Sequence, residues 1–564
     1  MQKVLLAYIV ISLFICSLSA QAPDWLWAKQ AGGSSDDWGK SIAVDDNGNT
    51  YVTGYFESPT LSFGNLPPLS NSGGRDIFVA KLDTEGNWLW AKQAGSPYND
   101  MGISITVDNN GNTYVTGTFD SSTLIFGNLP PLTNAFFVGY DIFVAKLDTN
   151  GNWLWAKQAG GSEDDMGISI TVDNNGNTFV TGHSDSFDLT FGNLPPLINS
   201  GSYDIFIVKL DTTGNWVWAK QAGGLGIDFG YGIAVDNNDC TYVTGSFYSA
   251  TLTFGILPPL TNSGGDDIFV AKLDANGNWL WAKQAGGIDY ESCFSIAVDN
   301  NGNTYVTGGF LSFTLIFGNL PPLANSGGSE IFVAKLDTTG NWLWAKQAGG
   351  TDDDLARGIV VDTNSNTYIT GTYESTTPTF GNLPPLSNSG ARDIYIAKLD
   401  SNGNWVWAKQ AIGSYYDEVF GIAVDNNGST YVTGNFDSLP LSFGNLPPLI
   451  SSGFTDLFVA KLDNNGTAVE EHTSHANTDL SILETAYPNP FKIGQQLTLT
   501  AEVKAGESGI LSIYNVKGQS VKTFKVKSGH NSINWNAEGL SGGVYLYTLS
   551  TPSIQQTKKL IIIK

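Results

Sequence analysis

The sequence predicts an all-β chain: a seven-bladed β-propeller with four-stranded blades, followed by a small C-terminal β domain. Two observations point to the propeller. The motif WLWAKQAG at Trp25 to Gly32 returns, with small changes, at Trp88, Trp153, Trp216, Trp279, Trp342 and Trp405, at spacings of 63, 65, 63, 63, 63 and 63 residues. A fixed period of this size marks one supersecondary unit copied along the chain. Each unit also contains four short β-rich runs separated by Asn/Gly turns and one long loop, which is the pattern of a propeller blade.

In the first unit the apolar run Ser41 to Asp45 leads into DNGN at Asp46 to Asn49, whose Asn/Gly pair supplies a turn with positive φ. The chain then pairs back through Thr50 to Phe56. After a loop containing FGNLPPL at Phe63 to Leu69, Asp76 to Asp83 (DIFVAKLD), the turn TEGN and Asn87 to Gln93 make a second hairpin. The last unit reaches Asp463 and continues into NNGTAVEE, with no WLW strand, whereas Trp25 to Ala31 is an outer strand that precedes any inner strand of its own. The N-terminal strand is therefore expected to complete the seventh blade and close the ring, leaving no open seam. The propeller spans 21–463.

The net charge is −25, a field that repels phosphate backbones and anionic membrane surfaces, so nucleic acid is not an expected partner. The charge is uneven. From Thr485 to Lys564 there are nine Lys and three Glu, about +6, which leaves −25 − 6 = −31 for the residues before it. At the other end Lys3, the apolar run Val4 to Cys16 and the small residues Ser17 and Ser19 read as an export signal over 1–20, too short for a comfortable membrane span. No transmembrane segment is expected in the mature chain. Cys240 and Cys293 fall at opposite ends of a strand in the repeat frame and are expected to be unpaired.

The units WAKQAGG, IAVDNNGNTYVTG and DIFVAKLD resemble the SBBP type of β-propeller repeat of bacterial secreted and surface proteins. The resemblance implies the fold and no defined activity. The tail, with YPNPF at Tyr487 to Phe491, SIYNVK at Ser512 to Lys517, LSGGVYLY at Leu540 to Tyr547 and a final KKLIIIK, resembles the C-terminal sorting domain of the type IX secretion route of Bacteroidetes. That resemblance implies a small β-sandwich over 487–564, with the secretion machinery as partner and a secreted or surface-attached location. Alternating apolar residues in its strands support a sandwich independently. Residues 464–486 read as a solvated linker.

The paired tryptophans of the outer strand are expected to pack blades, the VDNNGN segments to be hairpin turns and not calcium loops, and the Phe and Leu of FGNLPPL to tuck against the blade. Twelve residues after each leading Trp stands an acid: Asp37, Asp100, Asp165, Asp228, Glu291, Asp354 and Asp417. These seven are expected near the channel mouth, either capping backbone N–H groups or sharing a cation such as calcium. Seven nearly alike carboxylates do not separate acid from base, and His183 is the only His of the propeller, so no catalytic set is expected. The second unit breaks the symmetry with TNAFFVGYD, whose Phe136, Phe137 and Tyr140 are candidate partner-binding anchors. The expected function is a secreted binding or adhesion module that takes a glycan or protein ligand on its loop face. A structural surface component, or a polysaccharide-active enzyme, is the alternative.

Overall fold

The computed structural model describes residues 22–134, 139–463, 482–483, 491–492, 497–517, 519–537 and 540–563. The expected export signal, most of the linker, and Phe136 and Phe137 lie outside these residues. The chain divides into two compact units, Met1–Ala468 and Val469–Lys564.

The first unit is a ring of seven four-stranded antiparallel sheets. In the first blade the inner strand is Asp37–Val44, the second Thr50–Phe56, the third Asp76–Leu82 and the outer Trp88–Ala94. The seventh blade takes its outer strand from the start of the chain. Trp25–Ala31 pairs antiparallel with Asp456–Leu462, placing Ala28 opposite Ala460 and Gln30 opposite Phe458. Closure by the N-terminal strand is thus as the repeat count required.

Every residue of the second and third strands in this blade is buried, because each blade is covered on both faces by its neighbours. The core consequently lies between blades. One cluster joins Tyr114, Ile142 and Val144 of the second blade to Ile170, Val180 and Phe206 of the third. The outer tryptophans seal these layers in two ways. Trp88 stands edge-on to Phe63 of FGNLPPL, with ring centroids 4.8 Å apart, and so pins the long loop to its own blade. Trp90 donates its indole N–H to the Thr149 carbonyl of the next blade at 3.2 Å, and Trp27 does the same to Thr84 at 3.0 Å across the closure.

The VDNNGN segments are hairpin turns that consume their own aspartate. Asp45 Oδ1 accepts the backbone N–H groups of Asn47 and Asn49 at 3.0 and 2.9 Å, and its Oδ2 accepts Asn49 Nδ2 at 2.8 Å and the Tyr51 hydroxyl at 3.0 Å. Gly48 takes the positive φ of 78° that the turn needs. Both propeller cysteines are free.

The second unit is a single β-rich body. Leu497–Asn515 pairs with Ser520–Trp535 and Gly543–Ser550, which pairs in turn with Gln555–Ile563. These strands enclose Leu499, Ile513, Val526, Tyr547 and Leu560.

Candidate functional site in the propeller channel

All seven inner strands carry a β-bulge at the same residue. In the first blade Gly39 pairs with Gly54 and Ser41 with Thr53, which leaves Lys40 as the extra residue. The sequence reason is the glycine of TYVTG. A Cβ on Gly54 would stand 1.8 Å from the carbonyl oxygen of Trp38, and the corresponding distance is 1.8 to 1.9 Å in every blade. Only glycine lets that carbonyl turn toward the second strand, and the bulge then re-aims the next side chain. Burial along Asp37–Val44 records the slip: buried and accessible residues alternate over the first three positions, then Lys40 and Ser41 are both accessible.

The re-aimed residues are Lys40, Ile103, Ile168, Tyr231, Phe294, Arg357 and Phe420, and all seven line one chamber of the central channel, about 470 Å³ in volume. A second chamber of about 360 Å³ lies further along the axis, walled by residues such as Val44, Val107 and Val361. Ile42, Ile359 and Ile422 border both chambers, so they mark an apolar waist between them. Serine hydroxyls stitch the wall from blade to blade: Ser41 Oγ accepts the Ile105 N–H at 3.3 Å, and Ser104 Oγ accepts that of Ile170 at 3.3 Å.

The first chamber is two-sided. Lys40 of the first blade and Arg357 of the sixth flank Phe420 of the seventh, while Ile103, Ile168, Tyr231 and Phe294 line it from the other blades. Lys40 Nζ lies 3.9 Å from the ring centroid of Phe420 and 4.5 Å from that of Trp38. Arg357 Cζ lies 4.7 Å from the ring of Phe294. Among the described residues neither cation has a carboxylate within ion-pair distance. The nearby Glu418 is already engaged by Arg392 at 2.6 Å, and Arg392 also binds Glu374. Burial pulls the Lys40 ammonium down to about 8 against the attraction of Glu418, and burial likewise lowers Arg357.

The seven acids singled out in the sequence do not face the chamber. Each opens an inner strand, and all seven are fully buried. Asp37 Oδ2 accepts the Gly33 N–H at 2.7 Å and the Ser58 hydroxyl at 2.8 Å, tying the linker between blades to the start of the long loop. Asp100 receives Ser121, Asp228 receives Gly224 and Ser249, Asp354 receives Gly350 and Ser375, and Asp417 receives Ser438. Asp165 accepts from Gly161, Ser184 and Ser186, and Glu291 from the N–H groups of Gly287 and Ser312. Burial, opposed by these hydrogen bonds, pushes Asp37, Asp100, Glu291 and Asp417 up to about 7 and Asp165, Asp228 and Asp354 up to about 6. A second buried acid opens each third strand, and at some of these, Asp76 and Asp456 among them, repulsion adds to the rise: Asp76 acts on Asp100, Asp456 on Asp37. Among the described residues no three His, Cys, Asp or Glu side chains are grouped to hold a metal ion.

Tyr140 is half-buried, and its backbone N–H donates to Asp164 Oδ1 at 3.1 Å. His183 is buried among Phe229, Tyr203 and Tyr231, and burial pulls it down to about 4, so it is neutral. Unlike polar residues do gather beside the channel: Lys40, Arg357, Arg392 and Glu418 meet across the first, sixth and seventh blades. The signal was present in the repeat alignment, since the fourth inner-strand position runs Lys, Ile, Ile, Tyr, Phe, Arg, Phe while the sixth is Ile in every unit.

Comparison with known proteins defines the class. Seven stretches, 26–55, 89–119, 154–189, 217–246, 280–308, 343–372 and 406–435, match the SBBP beta-propeller repeat, one per blade. Residues 485–563 match the secretion system C-terminal sorting domain. The chain carries seven SBBP β-propeller repeats and a secretion-system C-terminal sorting domain, and is therefore secreted or attached to the cell surface. It is 25% identical over 557 residues to an uncharacterized WD repeat-containing protein of Acanthamoeba polyphaga mimivirus, covering 82% of this chain and 40% of that one. It is 24% identical over 388 residues to the regulatory protein FlaEY of Caulobacter vibrioides, covering 64% and 38%. The chain thus spans about two-fifths of the length of these relatives. Among solved structures, a fungal alcohol oxidase in complex with copper aligns at 11% identity and a TM-score of 0.39, covering 96% of this chain and 100% of that one. A Synechocystis apocarotenoid oxygenase mutant aligns at 10% identity and a TM-score of 0.35, covering 79% and 95%. Neither similarity bears on activity.

Proposed function

We propose that this secreted propeller is a ligand-binding module, and that its ligand sits in the first chamber of the channel. One observation carries the reading: in a chain that repeats its core residues almost unchanged seven times, the chamber-facing position is given over to cations, aromatics and aliphatics. Packing explains sameness between blades and leaves this divergence unexplained. A chamber of about 470 Å³ also lies within the range of roughly 300–1,000 Å³ in which proteins hold small ligands. The polar groups on its wall are cations and hydroxyls, which hold and orient a ligand, so binding is favoured over catalysis.

The test is an array of small molecules, glycans and proteins probed with the full-length chain and with Ile168→Trp, which narrows the chamber on its apolar side. Saturable capture lost in Ile168→Trp supports the reading. Capture that persists in Ile168→Trp and disappears in a Phe136→Ser, Phe137→Ser variant would move the site to the long loop of the second blade. No saturable ligand at all would favour a purely structural surface component.

A further inference from the structure

We infer that the first chamber binds a small organic monoanion, a carboxylate carried on an apolar body, with Lys40 and Arg357 holding the charged end and Ile103, Ile168 and the ring of Tyr231 receiving the rest. This rests on the channel being the ligand site and adds the chemistry of what it takes.

Two charges in the chamber are out of place. Removing a cation from water is costly, and interior charges are ordinarily paired. Lys40 and Arg357 have no carboxylate within ion-pair distance among the described residues, although the residues before the tail carry −25 − 6 = −31 charges in all. Anionic partners are abundant in this domain, yet the repeat places none against these two. Glu418, which is near enough to attract both, is held by Arg392. What supports the two cations instead is aromatic: Phe420 and Trp38 beneath Lys40, Phe294 beneath Arg357. Ring faces steady a cation without neutralising it, so both keep their donors for another acceptor.

The remaining wall defines the body of the ligand. Across the ring from Phe420 stand Ile168 and the ring of Tyr231, with Ile103 beside Lys40, and the isoleucine waist offers no hydrogen-bonding group from its side chains. An acceptor at one end and apolar surface at the other fit an aryl or alkyl carboxylate, whose two oxygens match the fork of a guanidinium. The strongly negative domain selects against further charge on the ligand, since each added negative charge is opposed by the whole field.

The experiment is isothermal titration of the full-length chain with benzoate and hexanoate, with their uncharged counterparts benzyl alcohol and hexanol, and with inorganic sulfate. The carboxylates are expected to bind roughly tenfold or more tighter than the alcohols, and Lys40→Gln and Arg357→Gln each to weaken carboxylate binding by about tenfold while leaving the alcohols unchanged. Lys40→Arg, which keeps the charge, is expected to retain the preference. Both glutamine variants remove an unpaired cation, so they are expected to melt no lower than the parent, and a loss of affinity then reports on binding. Carboxylates that bind no tighter than alcohols, or a preference that survives in the Lys40→Gln, Arg357→Gln double variant, would overturn the inference. Sulfate binding as tightly as benzoate would overturn the apolar half of it. If the anion assignment fails while Ile168→Trp still blocks ligands in the array, the chamber remains the site. If Ile168→Trp changes nothing, the channel reading itself fails.

Discussion

Deleting Trp25 to Ala31 from the full-length chain removes the outer strand of the seventh blade, and the structure sets the size of the effect. Trp25 and Trp27 are 6% and 9% exposed, and losing a buried tryptophan to alanine costs about 3–5 kcal/mol each. The deletion also removes the Trp27 to Thr84 hydrogen bond at 3.0 Å and the edge-to-face contact of Trp25 with Phe443 at 4.8 Å. It leaves Asp456–Leu462 as an unpaired edge. The two tryptophans alone give roughly 6–10 kcal/mol, comparable with the whole stability of an ordinary domain. With an unfolding entropy of about 2.1 cal/mol/K per residue, residues 22–463 unfolding as one unit correspond to about 0.9 kcal/mol/K, so Tm should fall by roughly 7–11 °C. Trp25→Ala alone should give about 3–5 °C by the same arithmetic. Differential scanning calorimetry of the parent, the point variant and the deletion measures this directly. An unchanged propeller transition in the deletion would refute ring closure by this strand.

Three further outcomes are expected. The buried inner-strand acids have folded pKa values raised from 3.8 to about 6 or 7, as at Asp165 and Asp37, so the folded state keeps protons that the unfolded chain has released. Stability should therefore fall as pH rises from about 4 to 7 and level off above that. Turn carboxylates such as Asp274, held below the usual range by Asn278 hydrogen bonds, act oppositely below about pH 4. The melting temperature should peak between these limits, and one that climbs steadily from pH 5 to 8 would contradict the burial of these groups. Gly54→Ala places a Cβ 1.8 Å from the Trp38 carbonyl and should cost at least about 3 kcal/mol in urea unfolding; a neutral result would mean the bulge does not need glycine. Ser58→Ala removes the hydroxyl that serves both Asp37 Oδ2 and the Ser35 N–H, and should cost about 1–3 kcal/mol, measurable as a lower urea midpoint with unchanged slope.

The repeat made the architecture legible in the amino-acid sequence, because each unit must bury its faces against a neighbour and seven units with one displaced outer strand can close in only one way. The role of Asp45 was equally local, since turn chemistry decides it within a few residues. What the sequence concealed was direction. Asp37 is twelve residues from its Trp in a loop that meets the axis, and on spacing alone it belongs at the mouth; the strand turns it into the seam between blades, where Ser58 and Gly33 receive it. Lys40 reads as one more residue of an alternating strand until the bulge opposite Gly54 swings it into the channel. Arg357, more than three hundred residues away, reaches the same chamber because ring closure sets the first blade beside the seventh, and the seventh beside the sixth. Local pattern fixes strands and turns, but which side chains share a cavity depends on strand register and on the closure of the ring, and both are settled only when the whole chain has folded.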